Sequence, residues 1–187
     1  MPAHLSQPSP WIVRHLQRAQ PGQTALDLAT GSGRHARHAQ ALGYSVTALD
    51  RDLSRFDDLT GTPNITPLQS DLEDGSPWPL PGRTFSVVIV TNYLYRPILP
   101  NIVDAVAPDG LLLYETFALG NERYGKPSNP NFLLRPGELL DAVRGRLTPV
   151  AFECVTLDTP LAIVQRIAAV GPNHPWLARP PPASGEL

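Results

Sequence analysis

Asp27-Leu28-Ala29-Thr30-Gly31-Ser32-Gly33-Arg34-His35-Ala36 is the stretch that decides the fold of this chain. An acid follows the apolar pair Ala25-Leu26, two glycines sit in a turn poor in side chains, and an amphipathic stretch begins at Arg34. That order suits a buried strand ending in a tight turn that feeds the N-terminus of a helix. Gly31 and Gly33 lack the Cβ atoms that would hold a ligand off the backbone, and the first amides of the following helix are free to donate. Outward from this turn, Ser45 to Leu49 reads as a second strand that stops at Asp50, about twenty residues past the loop. Ile65 to Gln69 is a third, ending in Ser70-Asp71-Leu72. Phe85 to Val90 is dense in β-branched residues without polar alternation, the mark of a strand covered on both faces, and it delivers Thr91-Asn92-Tyr93. Ala107-Pro108-Asp109-Gly110 reads as a turn before a fifth strand, Leu111 to Tyr114, which hands over to Glu115-Thr116-Phe117. Every strand end carries a polar group, and open parallel sheets bind ligands beyond those ends.

A nucleotide cofactor or S-adenosylmethionine would each suit the turn. Asp27 separates them, because a carboxylate repels a pyrophosphate and attracts a cationic ammonium and sulfonium. On these motifs the chain, from about Gln20 to about Val170, resembles the class I S-adenosylmethionine-dependent methyltransferases. The resemblance implies an α/β fold, a Rossmann-like seven-stranded, mostly parallel sheet with helices on both faces and an antiparallel last strand. It also implies S-adenosyl-L-methionine as cofactor. Asp27 and the backbone from Ala29 through Thr30 and Gly31 to Gly33 would hold the methionine part. Asp50, with Arg51 beside it, would take the ribose hydroxyls. Asp71 and the Leu72 amide would take the adenine, Thr91 would complete the cofactor contacts, and Asn92 would line the methyl-transfer edge. At Ala29 a glycine is commoner in the family, so the chain departs from the pattern there. The GSGRHA loop and the block Phe132 to Leu140, FLLRPGELL, are similar to bacterial enzymes of the tellurite-resistance type; a small-molecule acceptor is expected from the short chain, the long Pro/Gly-rich loop and the near-neutral charge.

Methyl transfer from a sulfonium needs a base only when the acceptor must lose a proton. The candidate catalytic residues near the strand ends are Asn92, Tyr93, Tyr95, Arg96 and Glu115, with Tyr124 on a later loop. Asn92 would face the methyl or form a turn. Arg96 would bind an anionic acceptor or make a salt bridge at a helix start. Glu115 reads as a lid anchor more than as a base. His35 and His38 lie three apart without matching carboxylates or cysteines, so they read as solvated or loop-capping rather than metal-binding, and no metal is expected. His4, His15 and His174 are isolated, and no Ser-His-Asp arrangement supports a hydrolase.

Ser9 and Pro10 read as the cap and first position of a helix bearing Trp11, Ile12, Val13 and Leu16 on one face and ending near Gln20-Pro21-Gly22. Trp11 would fold over the cofactor or pack on the sheet. Arg34 to Leu42 reads as a helix closed by Gly43, and Pro97 to Val106 as another. Pro63, Pro67, Pro77, Pro79 and Pro81 argue for loop between the third and fourth strands. Ala118 to Pro136 is a long loop read as a substrate lid. Pro136 to Val143 follows as a short helix with Glu138 in its first turn. Leu147 to Leu157 and Leu161 to Val170 form a hairpin around Asp158-Thr159-Pro160.

The 187 residues suit a single domain over 1–171, with a Pro-rich tail over 172–187 expected to be disordered. A net charge of −2 leaves no basic excess to track a phosphate backbone, which disfavours a long nucleic acid. A tRNA or protein substrate would need Arg14, Arg18, Arg34, Arg37, Arg51 and Arg55 to converge. A non-catalytic cofactor-binding domain is the third reading, marked by Tyr93 or Phe117 blocking the acceptor space. The lone Cys154 reads as a buried small hydrophobe. Without a signal-like or membrane-length apolar segment, a cytoplasmic protein is expected.

Overall fold

The computed structural model describes residues 7–52, 54 and 61–180. Seven strands form one sheet: β1 (Thr24–Leu28), β2 (Ser45–Asp50), β3 (Ile65–Gln69), β4 (Phe85–Thr91), β5 (Val106–Phe117), β6 (Thr148–Asp158) and β7 (Leu161–Val170). Their order is β3-β2-β1-β4-β5-β7-β6. β1 to β5 pair in parallel, and β7 runs antiparallel to both β5 and β6. The Rossmann-like arrangement expected from the sequence is therefore present, with the order reversing between β1 and β4.

Alternation along the strands divides the core in two, because successive side chains point to opposite faces. Leu26, Leu28, Val88, Val90 and Leu112 pack with Ile102 of α3 (Leu99–Asp104) and Leu139 of α4 (Glu138–Val143). Ala25, Val87, Ile89 and Leu113 pack on the other face with Trp11 and Ile12 of α1 (Pro10–His15) and Ala36 and Ala39 of α2 (Arg34–Ala41). Asp27, Thr91 and Glu115 continue the second set toward the carboxyl ends of their strands. That register puts three polar groups beneath α1 and α2.

Several boundaries differ from expectation. α1 is one and a half turns, and its buried residues are Trp11, Ile12 and His15, followed by Leu16, while Val13 is exposed. Helical spacing explains this, since positions 11, 12, 15 and 16 share a face that 13 does not. Beyond β4 a 3₁₀ turn over Arg96–Ile98 leads into α3, and Val106 already belongs to β5. The expected turn at 107–110 is a bulge inside β5: Phe85 pairs with Val106, and Val87 next pairs with Leu111. Gly110 lies so close to β4 that a Cβ would sit 2.8 Å from the Phe85 carbonyl oxygen. Pro67 lies inside β3, which is an edge strand, where a missing N–H is tolerated. Cys154 is exposed on the edge strand β6 rather than buried.

The stretch from Pro172 is packed as far as it is described. The Asn173 amide donates to the Pro108 carbonyl at 2.8 Å, and Trp176 is buried against the α1 and α2 side of the core. An aromatic anchor thus offsets the ordering of a proline-rich segment. Residues 181–187 of the expected tail, like His4 and Arg55, lie outside the described residues.

Residues 118–136 form a loop whose ends meet. Leu119 N–H donates to the Leu134 carbonyl and Leu134 N–H to that of Phe117, each at 2.9 Å. Buried Asn121 ties the loop to β7 by accepting from the Ile163 amide at 3.1 Å. Among the described residues, no helix is long and apolar enough to cross a membrane.

Candidate active site

The turn after β1 is built on unusual backbone. Ala29 has φ +53° and Gly31 φ +58°, both left-handed, and Gly33 at φ +75° opens α2. Ala29 is the position where the family pattern prefers glycine, and this conformation is the physical reason. No protein atom lies within 4 Å of where a Cβ on Gly31 would stand.

Asp27 anchors the turn from below. It is 1% exposed, and its carboxylate accepts from the Thr30 hydroxyl. Burial pushes its pKa up to about 7, against the opposing pull of Thr30, the Ala36 amide and Arg34. It is not among the residues that line the adjoining cleft. Its contacts with Thr30 and the Ala36 amide hold the turn to the start of α2.

The cleft itself measures about 630 Å³ and lies at the carboxyl ends of β1 to β4. Of the residues expected to bind cofactor, Ala29, Thr30, Gly31, Asp50, Arg51, Asp71, Leu72 and Thr91 line it, whereas Asp27 and Gly33 lie behind. Asp50 Oδ2 accepts from the Gly31 amide at 2.8 Å, and its Oδ1 from the Asp52 amide at 3.2 Å. Asp71 accepts from the Glu73 amide at 2.9 Å. Asp52 and Glu73 line the cleft as well, and sequence reasoning overlooked them. The acid-x-acid pattern repeated after two strands was the available signal. Ser32, within the expected turn, also lines the cleft; Arg34 and Phe132 were overlooked, and Phe132 is the sole residue of the 118–136 loop on the wall. The expected lid thus contributes one aromatic ring.

The catalytic candidates divide. Asn92 and Tyr93 line the cleft; Tyr95, Arg96 and Glu115 do not. Asn92 has φ +54°, and its amide donates to the Glu115 carbonyl at 2.9 Å, leaving its side chain exposed. Burial, and then the Glu73 charge, push the Tyr93 phenol above its ordinary pKa, so it stays protonated and does not serve as a base near neutrality. Tyr95 lines an adjoining 270 Å³ depression, which shares Asp71 and Leu72 with the cleft and runs beside Trp78 and three prolines. Arg96 grips Glu138 through two bonds of 2.7 and 3.0 Å and also donates to the Asn131 and Leu133 carbonyls. It fastens the long loop and α4 to the β4 side, which leaves the salt-bridge alternative standing and not the anionic-acceptor one. Glu115 accepts from the Ser9 hydroxyl at 2.7 Å and from Arg166 at 3.2 Å, so it anchors the N-terminal segment rather than the loop. Trp11 packs on the sheet, its indole N–H 3.3 Å from the Ile167 carbonyl and the Arg166 guanidinium 5.0 Å from its ring centroid. His35 is buried rather than solvated, and no group of three potential metal ligands occurs among the described residues.

The sequence matches no family model and no curated protein. Solved structures share the fold. An S-adenosylmethionine-dependent methyltransferase from Mesorhizobium loti superposes with a TM-score of 0.67 at 17% identity, covering 86% of this chain and 96% of that one. The fold is that of the S-adenosylmethionine-dependent methyltransferases. TehB from Haemophilus influenzae gives a TM-score of 0.62 at 18% identity over 81% of this chain, which spans 58% of the TehB chain. The 1,6-didemethyltoxoflavin-N1-methyltransferase of Burkholderia thailandensis, solved with 1,6-didemethyltoxoflavin and S-adenosylhomocysteine bound, gives 0.61 at 17% identity over 80% of this chain and 71% of that one.

Proposed function

We propose that this chain is a methyltransferase that uses S-adenosylmethionine to methylate a small-molecule acceptor. The observation that carries the reading is the convergence of the Gly31 turn, Asp50 and Asp71 on one cleft at the point where the strand order reverses. The residues fit the cofactor. The open space over Gly31 is a cradle that a side chain would fill. Four carboxylates, Asp50, Asp52, Asp71 and Glu73, face two guanidiniums, Arg34 and Arg51, around the wall. That balance favours a ligand bearing a cationic sulfur over a diphosphate.

Asp50 would hold the ribose hydroxyls, Asp71 and the Leu72 amide the adenine, and the backbone around Gly31 the methionine part. When bound, S-adenosylmethionine supplies an activated methyl for in-line displacement. The chain's own contribution is alignment and exclusion of water, and orientation of this kind is worth about 7 to 11 kcal/mol. Asn92 and Tyr93, on the wall beyond β4, would orient an acceptor, together with Phe132 from the loop. A protonated Tyr93 would act there as a donor.

A cleft of about 630 Å³ suits a small ligand. Several of the arginines that a macromolecular substrate would need are engaged otherwise: Arg14 pairs with Glu153 at 3.3 Å, Arg37 donates to the Ser32 carbonyl at 2.7 Å, and Arg34 and Arg51 face the cleft. Purified protein given S-adenosylmethionine and a panel of a thiol, selenite and tellurite is expected to release S-adenosylhomocysteine with at least one of them. Methyl incorporation into tRNA or protein alone would count against the small-molecule assignment.

A further inference from the structure

Between the N-terminal segment and the cleft runs a chain of buried polar groups whose hydrogen-bond polarity can be worked out. The Ser9 amide donates to His35 Nε2 at 3.1 Å. A backbone N–H has no acceptor capacity, so Nε2 carries the lone pair and Nδ1 carries the proton. His35 Nδ1 lies 3.2 Å from Thr91 Oγ1, and therefore donates to it. With one lone pair of Oγ1 taken, the Thr91 hydroxyl hydrogen is left to point away from His35. Thr91 lines the cleft, and His35 and Thr91 are otherwise almost wholly buried.

We propose that His35 is a positioning residue that fixes the Thr91 hydroxyl as a hydrogen-bond donor to the ligand of the cleft. The proposal rests on the reading that this cleft takes an adenosyl ligand. His35 suits the task because it does not change charge in use: burial pushes its pKa down to about 3, so the imidazole is neutral and keeps one tautomer. Its own orientation is fixed from the far side. Ser9 donates its hydroxyl to Glu115, Glu115 pairs with Arg166, and Arg166 stacks on Trp11, so α1 is braced against β5 and β7 at the point where it holds the imidazole. A second tie joins the same segment to the cleft wall, where Arg34 donates to the Gln7 carbonyl at 3.3 Å.

The test uses calorimetric titration of the full chain with S-adenosylhomocysteine, alongside thermal unfolding. Thr91→Val keeps the shape and removes the hydroxyl, and is expected to weaken binding about tenfold. The two His35 variants divide its bonds. In His35→Asn the amide nitrogen stands where Nδ1 was, so the donor to Thr91 survives; affinity is expected within about twofold of wild type. In His35→Gln the amide oxygen stands where Nε2 was, so the Ser9 bond survives and the Thr91 donor is lost; affinity is expected to fall toward the Thr91→Val level. Nitrogen chemical shifts of the His35 ring in the free protein should show the Nδ1–H form. Equal affinities for wild type and Thr91→Val, equal losses in both His35 variants that track the melting temperature, or an Nε2–H ring would each overturn the proposal. A wild type that binds no S-adenosylhomocysteine would instead remove the functional reading beneath it.

Discussion

Ala29 holds a left-handed backbone that L-residues adopt at a cost of about 1–2 kcal/mol, and replacing it with glycine removes that cost. Glycine also loosens the unfolded chain by about 0.4–1 kcal/mol, so Ala29→Gly is expected to stabilise by up to about 1 kcal/mol in denaturant unfolding. A clear loss of stability would show that the methyl makes contacts worth more than the strain. Asp27 predicts a pH effect. The folded protein keeps its proton until about pH 7, while an unfolded chain releases it near the ordinary aspartate value of 3.8, so ionising it opposes folding as pH rises through that window. Asp27→Asn should therefore gain on wild type between pH 5 and pH 8; a constant difference would contradict the raised pKa. These two residues also mark how far sequence alone reaches. The Asp27-x-Ala29-x-Gly31-x-Gly33 pattern announced the turn, because glycine placement is a local matter of backbone angles. It did not tell which way the Asp27 carboxylate points, because that depends on α2 settling over it.

The parallel strands were legible because β-branched runs such as Phe85 to Val90 can be buried on both sides, and the final hairpin because two such runs flank Asp158-Thr159-Pro160. Helix ends and loops were less so. α1 stops after six residues where its buried face ends, and the bulge at 107–110 answers to the neighbouring strand and Gly171 as much as to its own Gly110. Arg96 gives the clearest case. From sequence it suited an anion or a carboxylate equally; only the approach of Glu138, 42 positions away, decides between them. Arg96→Ala removes both bonds to a part-buried carboxylate and two to loop carbonyls, and should cost about 1.5–3 kcal/mol of stability. Cofactor affinity should stay near that of wild type. Arg96→Lys should not restore the loss, since an ammonium cannot make the paired contact. An effect confined to ligand binding, with stability unchanged, would return Arg96 to the site.

The strand order brings Asp50, Asp71 and the Gly31 turn from three separate segments to one cleft, and the charge around it comes from acids that follow the strand tips rather than from Asp27. The acceptor side is where sequence said least, because it is shaped by Phe132 arriving from a loop whose path is set by Arg96, Asn121 and β7. The most direct measurement is calorimetric titration of wild type and Asp50→Ala with S-adenosylhomocysteine and, separately, with NADH. The wild type should bind S-adenosylhomocysteine and not NADH, and losing the Asp50 carboxylate should weaken binding by about 1.5–3 kcal/mol. Binding of NADH in its place, or an affinity indifferent to Asp50, would contradict an adenosyl ligand in this cleft.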